Sequence, residues 1–289
     1  MKKTILVLPA LLFALILIAM CIASIPKRSD PAVTTQKDLL KDFVPDERFR
    51  SASQKWADTE NYTILYRHQF RFGNGVGDPN TWFDWSIVET RDGANVQYSI
   101  PKNHRPLGLV YHDGLLYVEK GEEKTKLTIA EEEILSYLNE ALPDQYNDVR
   151  DLLDYMTAER TNAIDPLSDS ILATATAVQV GETVVVTFQL NQEEATAMLG
   201  RWEVINLYEA DPDSIHILQG TYTVTFDQYG VITKTRCDVE MTYTLLNYGQ
   251  TLYGYDSVEY ILTYGDAKVE APEKADTYTD VTDELEIPE

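Results

Sequence analysis

Three consecutive segments decide the reading of this chain: Gly220-Thr-Tyr-Thr-Val-Thr-Phe226, Thr233-Lys-Thr-Arg-Cys-Asp-Val-Glu-Met-Thr-Tyr-Thr-Leu245 and Leu252-Tyr-Gly-Tyr-Asp-Ser-Val-Glu-Tyr-Ile-Leu-Thr-Tyr264. In the first, polar and apolar residues alternate from Thr221 to Phe226, the period of a half-buried strand. In the second and the residues just before it, Val231, Cys237, Val239, Met241, Tyr243 and Leu245 fall on one face. Lys234, Arg236, Asp238, Glu240, Thr242 and Thr244 fall on the other. Leu252, Val258, Tyr260, Leu262 and Tyr264 give the third segment its apolar face. Turn residues separate the segments at Asp227-Gln-Tyr-Gly230 and Asn247-Tyr-Gly-Gln250. The expectation is three antiparallel strands with one face on a core and one in water.

Upstream, Asn61 to Phe72 reads as a strand with Tyr62, Ile64, Tyr66, His68 and Phe70 on one face. Two hairpins follow, around Arg91-Asp-Gly-Ala94 and His112-Asp-Gly114. Asp-Gly between apolar runs is a strong hairpin signal. The Gly-rich stretch Gly73 to Asn80 lacks the Lys-Ser/Thr ending of a phosphate-binding loop and reads as a hairpin loop. Leu127 to Ile129 is expected to close this group of strands. Two helices are then predicted, one carrying Ile134, Leu135, Leu138, Ala141 and Leu142, the other Val149, Leu152, Leu153 and Met156. Thr128 and Glu131 resemble a capping box for the first. Strands resume at Ile171 to Gln179 and Thr183 to Leu190, and Asn191 is placed to cap a short helix. The order is strands, helices, strands, with no long linker. It suggests two half-sheets sharing one set of helices.

At the N-terminus, Met1-Lys2-Lys3 precedes a nearly unbroken apolar run from Ile5 to Ala23, followed by Lys27-Arg28. The run has about the ~20 residues that span a bilayer. Three readings stay open for residues 1–28: a cleaved export signal, an uncleaved anchor, or lipidation at Cys21. Ile18-Ala-Met-Cys21 resembles a lipobox, with Met20 where that pattern has a small residue. All three put the folded part outside the cytoplasm, attached to the membrane or secreted. Residues 29–60 read as a linker with a short helix over Lys37 to Phe43, residues 61–272 as a single β-rich domain, and residues 273–289 as a solvated acidic tail.

Of the 289 residues, enough are apolar for a sizeable core, and 18 are tyrosines. The net charge of -23 repels phosphate backbones, which excludes nucleic acid as a partner. Cys21 and Cys237 lie in unrelated contexts and form no pair; Cys237 reads as a small buried hydrophobe. His68, His104, His112 and His216 are scattered without metal spacing. Asp211 and Asp213 offer too few oxygens for a calcium loop. Glu131-Glu132-Glu133 reads as favourable charge at a helix start. No nucleophile elbow occurs. The expectation is therefore a non-enzymatic protein with no cofactor and no metal.

The last hundred residues resemble exported bacterial lipoproteins of LolA/LppX-like fold. The meander Gly220-Thr-Tyr-Thr-Val-Thr-Phe-Asp-Gln-Tyr-Gly-Val-Ile-Thr-Lys234 and the closing Tyr264-Gly-Asp-Ala-Lys-Val-Glu-Ala-Pro272-Glu-Lys-Ala-Asp276 carry the resemblance. It implies an α+β fold: a strongly curved antiparallel sheet, an open half-barrel, with helices on its concave side and a hydrophobic helix before it. It also implies an envelope protein carrying a lipid or other hydrophobic ligand in that cavity. Such a ligand would meet Tyr222, Val224, Phe226, Val239, Met241, Tyr243, Val258, Tyr260 and Leu262. The same residues also serve a filled core, and then the domain is a structural or protein-interaction module of the cell envelope. The expected partners are the membrane, through the N-terminal segment, and a lipid or an envelope protein.

Overall fold

The computed structural model describes residues 38–73, 81–99, 107–141, 163–201 and 210–282. The N-terminal apolar run with Cys21, the loop at 74–80, His104 and the second predicted helix lie outside the described residues. The chain divides into two units, Met1–Asp38 and Leu39–Glu289. The sheet belongs wholly to the second.

Among the described residues that sheet has twelve strands and is antiparallel except at one edge. The N-terminal wing is a meander of β1 (Asn61–Gly73), β2 (Thr81–Asp92), β3 (Asn95–Ser99), β4 (Leu107–His112), β5 (Leu115–Lys120) and β6 (Glu123–Thr128). The C-terminal wing runs from β7 (Thr176–Val180) through β8 (Thr183–Gln189), β9 (His216–Phe226) and β10 (Ile232–Thr244) to β11 (Thr251–Tyr264). The two wings join where β1 pairs with β11, from Tyr62 opposite Tyr264 to Gly73 opposite Tyr253. The expected pair of half-sheets is thus one continuous sheet. Its terminal strands are β7 and the two-residue β12 (Thr279–Asp280), so it is open.

Period-2 patterning produces these strands. Every second residue of β1 from Tyr62 to Phe70 is buried, as is every second residue of β9 from Gly220 to Phe226. The β4–β5 turn needs positive φ at both central residues. Asp113 and Gly114 supply it at 51° and 81°, the geometry that matches the strands' twist.

Helices cover one face, here the core face. Helix α1 (Pro45–Ala57) begins with Pro at its start and Asp46 and Glu47 in its first turn, which suits both backbone geometry and dipole. Its buried Phe49, Ala52 and Trp56 follow helical spacing. Phe49 packs edge-on against Phe188 at 5.5 Å and Tyr222 at 6.4 Å. Trp56 reaches Tyr62 at 4.8 Å and Tyr264 at 5.4 Å. Helix α2 (Ile134–Ala141) buries Ile134 and Leu138 beside the N-terminal wing, and a short α3 (Asp169–Leu172) buries Ile171 and Leu172. Helix α4 (Gln192–Arg201) starts at Asn191, whose side chain accepts from Glu194 N at 2.9 Å as predicted. Its Ala195, Met198 and Leu199 are fully buried. A Cβ on Gly220 would come within 3.0 Å of Leu190 Cβ and 3.4 Å of Ala195 Cβ, so the helix seats closely there because that residue is glycine.

Several expectations are corrected. Residues 39–42 form turns, and the helix lies at 45–57, where Pro45 can start it. It belongs to the core rather than to a linker. Ile171 and Leu172 are helical, and the strand begins at Thr176. Thr128 is not a cap; its N–H donates to Thr282 Oγ1, while Glu133 accepts from Ala130 N. The buried row of β10 runs from Thr235 through Cys237 to Tyr243, and an irregularity between Ile232 and Lys234 shifts its phase, so that Ile232 is buried in place of Val231. The tail up to 282 is held on the sheet: Thr279–Asp280 pairs in parallel with β6, and Tyr278 packs on Tyr117 and is buried.

Candidate functional site

All nine residues singled out from the sequence lie on the core face and are buried. They divide into two groups. Tyr222 and Phe226 are engaged by the chain's own aromatic residues, Phe49 and Phe43 respectively, and Val224 lies between them on β9. The second group surrounds the seam where the wings meet. Across it, Tyr66 stacks at a tilt on Tyr260 at 5.0 Å, and Phe70 meets Tyr243 at 6.4 Å. Met241 and Tyr243 fold over Gly254, where a Cβ would stand 3.0 Å from Tyr243 Cε1. Val239, Val258 and Leu262 complete the apolar seam.

One polar pair is set into that seam. His68 on β1 and Asp256 on β11 are both buried, and His68 Nε2 lies 2.6 Å from Asp256 Oδ1. The β1–β11 register places Phe70 opposite Asp256 and His68 opposite Val258, so the pair is diagonal on one face. Among the described residues Asp256 Oδ2 has no hydrogen-bond partner. This second carboxylate oxygen can accept a hydrogen bond from a molecule lying along the seam. The sequence put His68 on an apolar face and passed over Asp256. The signal was there: Gly254 and Asp256 interrupt the run Leu252, Val258, Tyr260, Leu262.

The N-terminal wing carries a second polar group that the sequence reading missed. Glu89 on β2 is fully buried. It accepts from Tyr62 OH at 3.1 Å and stands 3.6 Å from Arg91 Nε. Arg91 in turn donates to Glu131 Oε1 at 3.0 Å. The acidic run at Glu131 is therefore an anchor between sheet and helix α2, more than a favourable dipole charge. Burial works against the charge on Arg91, but Tyr62, Tyr98, Glu131 and Glu89 together hold its pKa above the usual range. Burial first, and then the negative charge of Glu89, push the Tyr62 phenol up to about 12. A third group ties the connection before α3 to the C-terminal wing. Tyr222 OH accepts from Asp165 N at 3.0 Å, and Thr235 donates to Ala163 O at 2.6 Å.

The opposite face is ionic, as its sequence row foretells. Arg236 grips Asp238 through Nε and a terminal nitrogen at 2.8–3.0 Å, and Tyr255 OH donates to the same carboxylate at 2.6 Å. Lys234 and Arg67 both pair with Glu259. At the rim, a cleft of about 520 Å³ opens between α1 and α3, lined by Pro45, Asp46, Arg50, Asp169, Leu172, Ala173 and Ala175. The Arg50–Asp169 ion pair lies in that lining. None of the nine residues touches it.

His112 Nδ1 lies 3.5 Å from its neighbour Asp113, and His216 is exposed. Asp211 Oδ1 is used by Asp213 N, and so closes its own turn. Among the described residues no cluster of three His, Cys, Asp or Glu side chains can hold a metal. Cys237 is buried, with its Sγ 3.5 Å from Met198 Sδ.

No family model matches the chain, and no curated protein matches it. Solved structures similar in part include the following two. The ywiB protein from Bacillus subtilis is 9% identical, over 73% of this chain and 98% of its own, with a TM-score of 0.18. A DUF1329 family protein from Desulfovibrio piger is 9% identical, over 78% of this chain and 95% of its own, with a TM-score of 0.20. At those scores neither likeness bears on fold or function. Among the described residues no helix is long and apolar enough to cross a membrane.

Proposed function

We propose that this chain is a non-enzymatic protein of the bacterial cell envelope. In this reading it is held at the membrane by residues 1–28 and binds an apolar ligand along the seam between its two wings. The sheet would curve there as an open half-barrel, with the helices on its concave side, as the LolA/LppX-like resemblance implies. One observation carries the reading. The seam presents Tyr66, Phe70, Met241, Tyr243 and Tyr260 around a single buried polar pair, His68 and Asp256. Ligand sites have this character, mostly apolar with a few placed polar groups. Affinity would come from apolar burial, at roughly 25 cal/mol per Å² removed from water.

A second reading rests on a specific observation. Helix α1 covers Tyr222 through Phe49, and Phe43 just before it covers Phe226, so that wing is filled by the protein itself. If the seam is filled as well, the domain is an interaction module. Native mass spectrometry of the full chain, extracted from membranes in mild detergent, separates the two. A co-purifying lipid that is lost in Met241→Glu supports the ligand reading. Repeated absence of lipid from parent protein sinks it and leaves the interaction module.

A further inference from the structure

Asp256 is fully buried and uses one carboxylate oxygen on His68, at 2.6 Å. Among the described residues its other oxygen, Oδ2, has no hydrogen-bond partner. The register shows why the sheet supplies none. On the core face Phe70 and Val239 stand beside Asp256 on the neighbouring strands, with Gly254 and Val258 before and after it on its own. Three of the four diagonal positions are Phe72, Met241 and Cys237, and the fourth is His68 itself. The Cys237 sulfur faces Met198 Sδ at 3.5 Å. A buried carboxylate oxygen in such a setting calls for a donor from above the sheet.

We propose that Asp256 Oδ2 accepts the hydroxyl of the seam's ligand, and that this ligand is an uncharged amphiphile: an apolar chain ending in one O–H donor. The inference rests on the reading of the seam as an apolar ligand site and names what such a ligand carries. The chemistry of the alternatives decides the class. A fatty-acid carboxylate would bring a second anion beside Asp256 where water is excluded, and like charges there oppose each other. An ether or ester offers acceptors only, and leaves Oδ2 as it stands. An ammonium brings three donors to one open acceptor, and the others lose their water for nothing. A hydroxyl meets Oδ2 with its single hydrogen and has no donor left over. Room for it lies on the Met241 side. Gly254 has no side chain, and the place its Cβ would take is 3.3 Å from Met241 Cε. The flank of the carboxylate is thus filled by an unbranched, adaptable side chain, of the kind that repacks around a guest.

The experiment places the full chain in vesicles of phosphatidylcholine, a lipid without hydroxyl groups. The vesicles carry one of three long-chain diazirine probes that differ only in ending as an alcohol, a methyl ether or, at alkaline pH, a carboxylate. The readout is photolabelling of the seam peptides around Tyr66–Phe72 and Val239–Tyr243, above that of the β5–β6 hairpin. The expected result is about tenfold more seam labelling by the alcohol than by either other probe, the equivalent of ~1.4 kcal/mol. That is the scale of one hydrogen bond to a charged group. In Asp256→Asn the amide nitrogen can turn toward the ligand and donate, so the alcohol-to-ether ratio should fall toward one. The parent chain's ranking needs no variant and stands as a test even if Asp256→Asn does not fold. Seam labelling by the ether or carboxylate equal to that by the alcohol overturns the proposal and leaves the apolar-ligand reading. A ratio unchanged in folded Asp256→Asn also overturns it, since the donor then lies elsewhere. No seam labelling by any probe overturns both.

Discussion

Asp256 and Asp238 stand on adjacent strands of one sheet and face opposite ways. Asp256 pairs in register with Val239, the residue after Asp238. Asp238 is 25% exposed in its side chain and receives a two-pronged Arg236 plus Tyr255. Asp256 is at 0% and holds one bond, to an equally buried His68. The difference lies in what water can do. On the outer face, solvent screens the pair and replaces lost contacts, so geometry can be generous and energy small. On the core face water cannot replace a lost partner, and removing one member of a buried pair leaves the other's charge uncompensated. The same division separates Glu89, fully buried, from Lys234 and Arg67, which stay largely in solvent while pairing with Glu259.

The largest expected effect tests the inner pair. Asp256→Ala leaves His68 buried without its carboxylate and should cost about 4 kcal/mol in urea unfolding. His68→Leu combined with Asp256→Leu should recover much of that loss, and a cycle showing strict additivity would break the comparison. Next comes Arg91→Ala, which strips Glu89 of its cation and releases Glu131; about 3 kcal/mol is expected by the same measure. Tyr62→Phe removes one hydrogen bond to a buried charge and should cost about 1.5 kcal/mol near neutral pH.

Tyr62 also has a pH signature. Its phenol is pushed up to about 12, and burial alone takes Tyr243 to about 12. Both folded-state values exceed the usual 10, so between them the folded protein binds more protons than the unfolded chain. The stability they contribute is complete below pH 10 and is lost as pH rises through 12. Tyr62→Phe should reduce the slope of stability against pH in that window by about one proton. An unchanged slope would place that phenol in water. The smallest effect belongs to the outer face. Arg236→Ala should cost about 0.5 kcal/mol, and less at high salt. A loss as large as that of Asp256→Ala would erase the distinction between the faces.

How much of this was legible depends on the distance between partners. The apolar rows of β1, β9 and β11 were read correctly because a strand's faces alternate residue by residue. The row of β10 was read correctly from Cys237 to Tyr243. It failed at Val231, where the irregularity at Ile232 shifts the phase through pairing with β9. Helix α1 was misplaced because its apolar residues, Phe49, Ala52 and Trp56, are few and set among charges. Tertiary packing, not propensity, makes it a helix. Of the candidate seam, the apolar half was named in advance. The polar half was not, because Asp256 and Glu89 look like ordinary acids in a chain with 47 of them.

By itself the sequence determined the strands, their two faces, the ionic character of the outer one and the apolar character of the other. Those are local properties, set by period-2 alternation and turn chemistry. The tertiary structure decided that β1 pairs with β11 and so makes one sheet of two wings. It decided that helix α1 fills one wing, and that His68 finds Asp256 across 188 residues of chain. Such partners share no local pattern. They are selected by the requirement that a buried polar group be satisfied, which has meaning only once the core has closed around it.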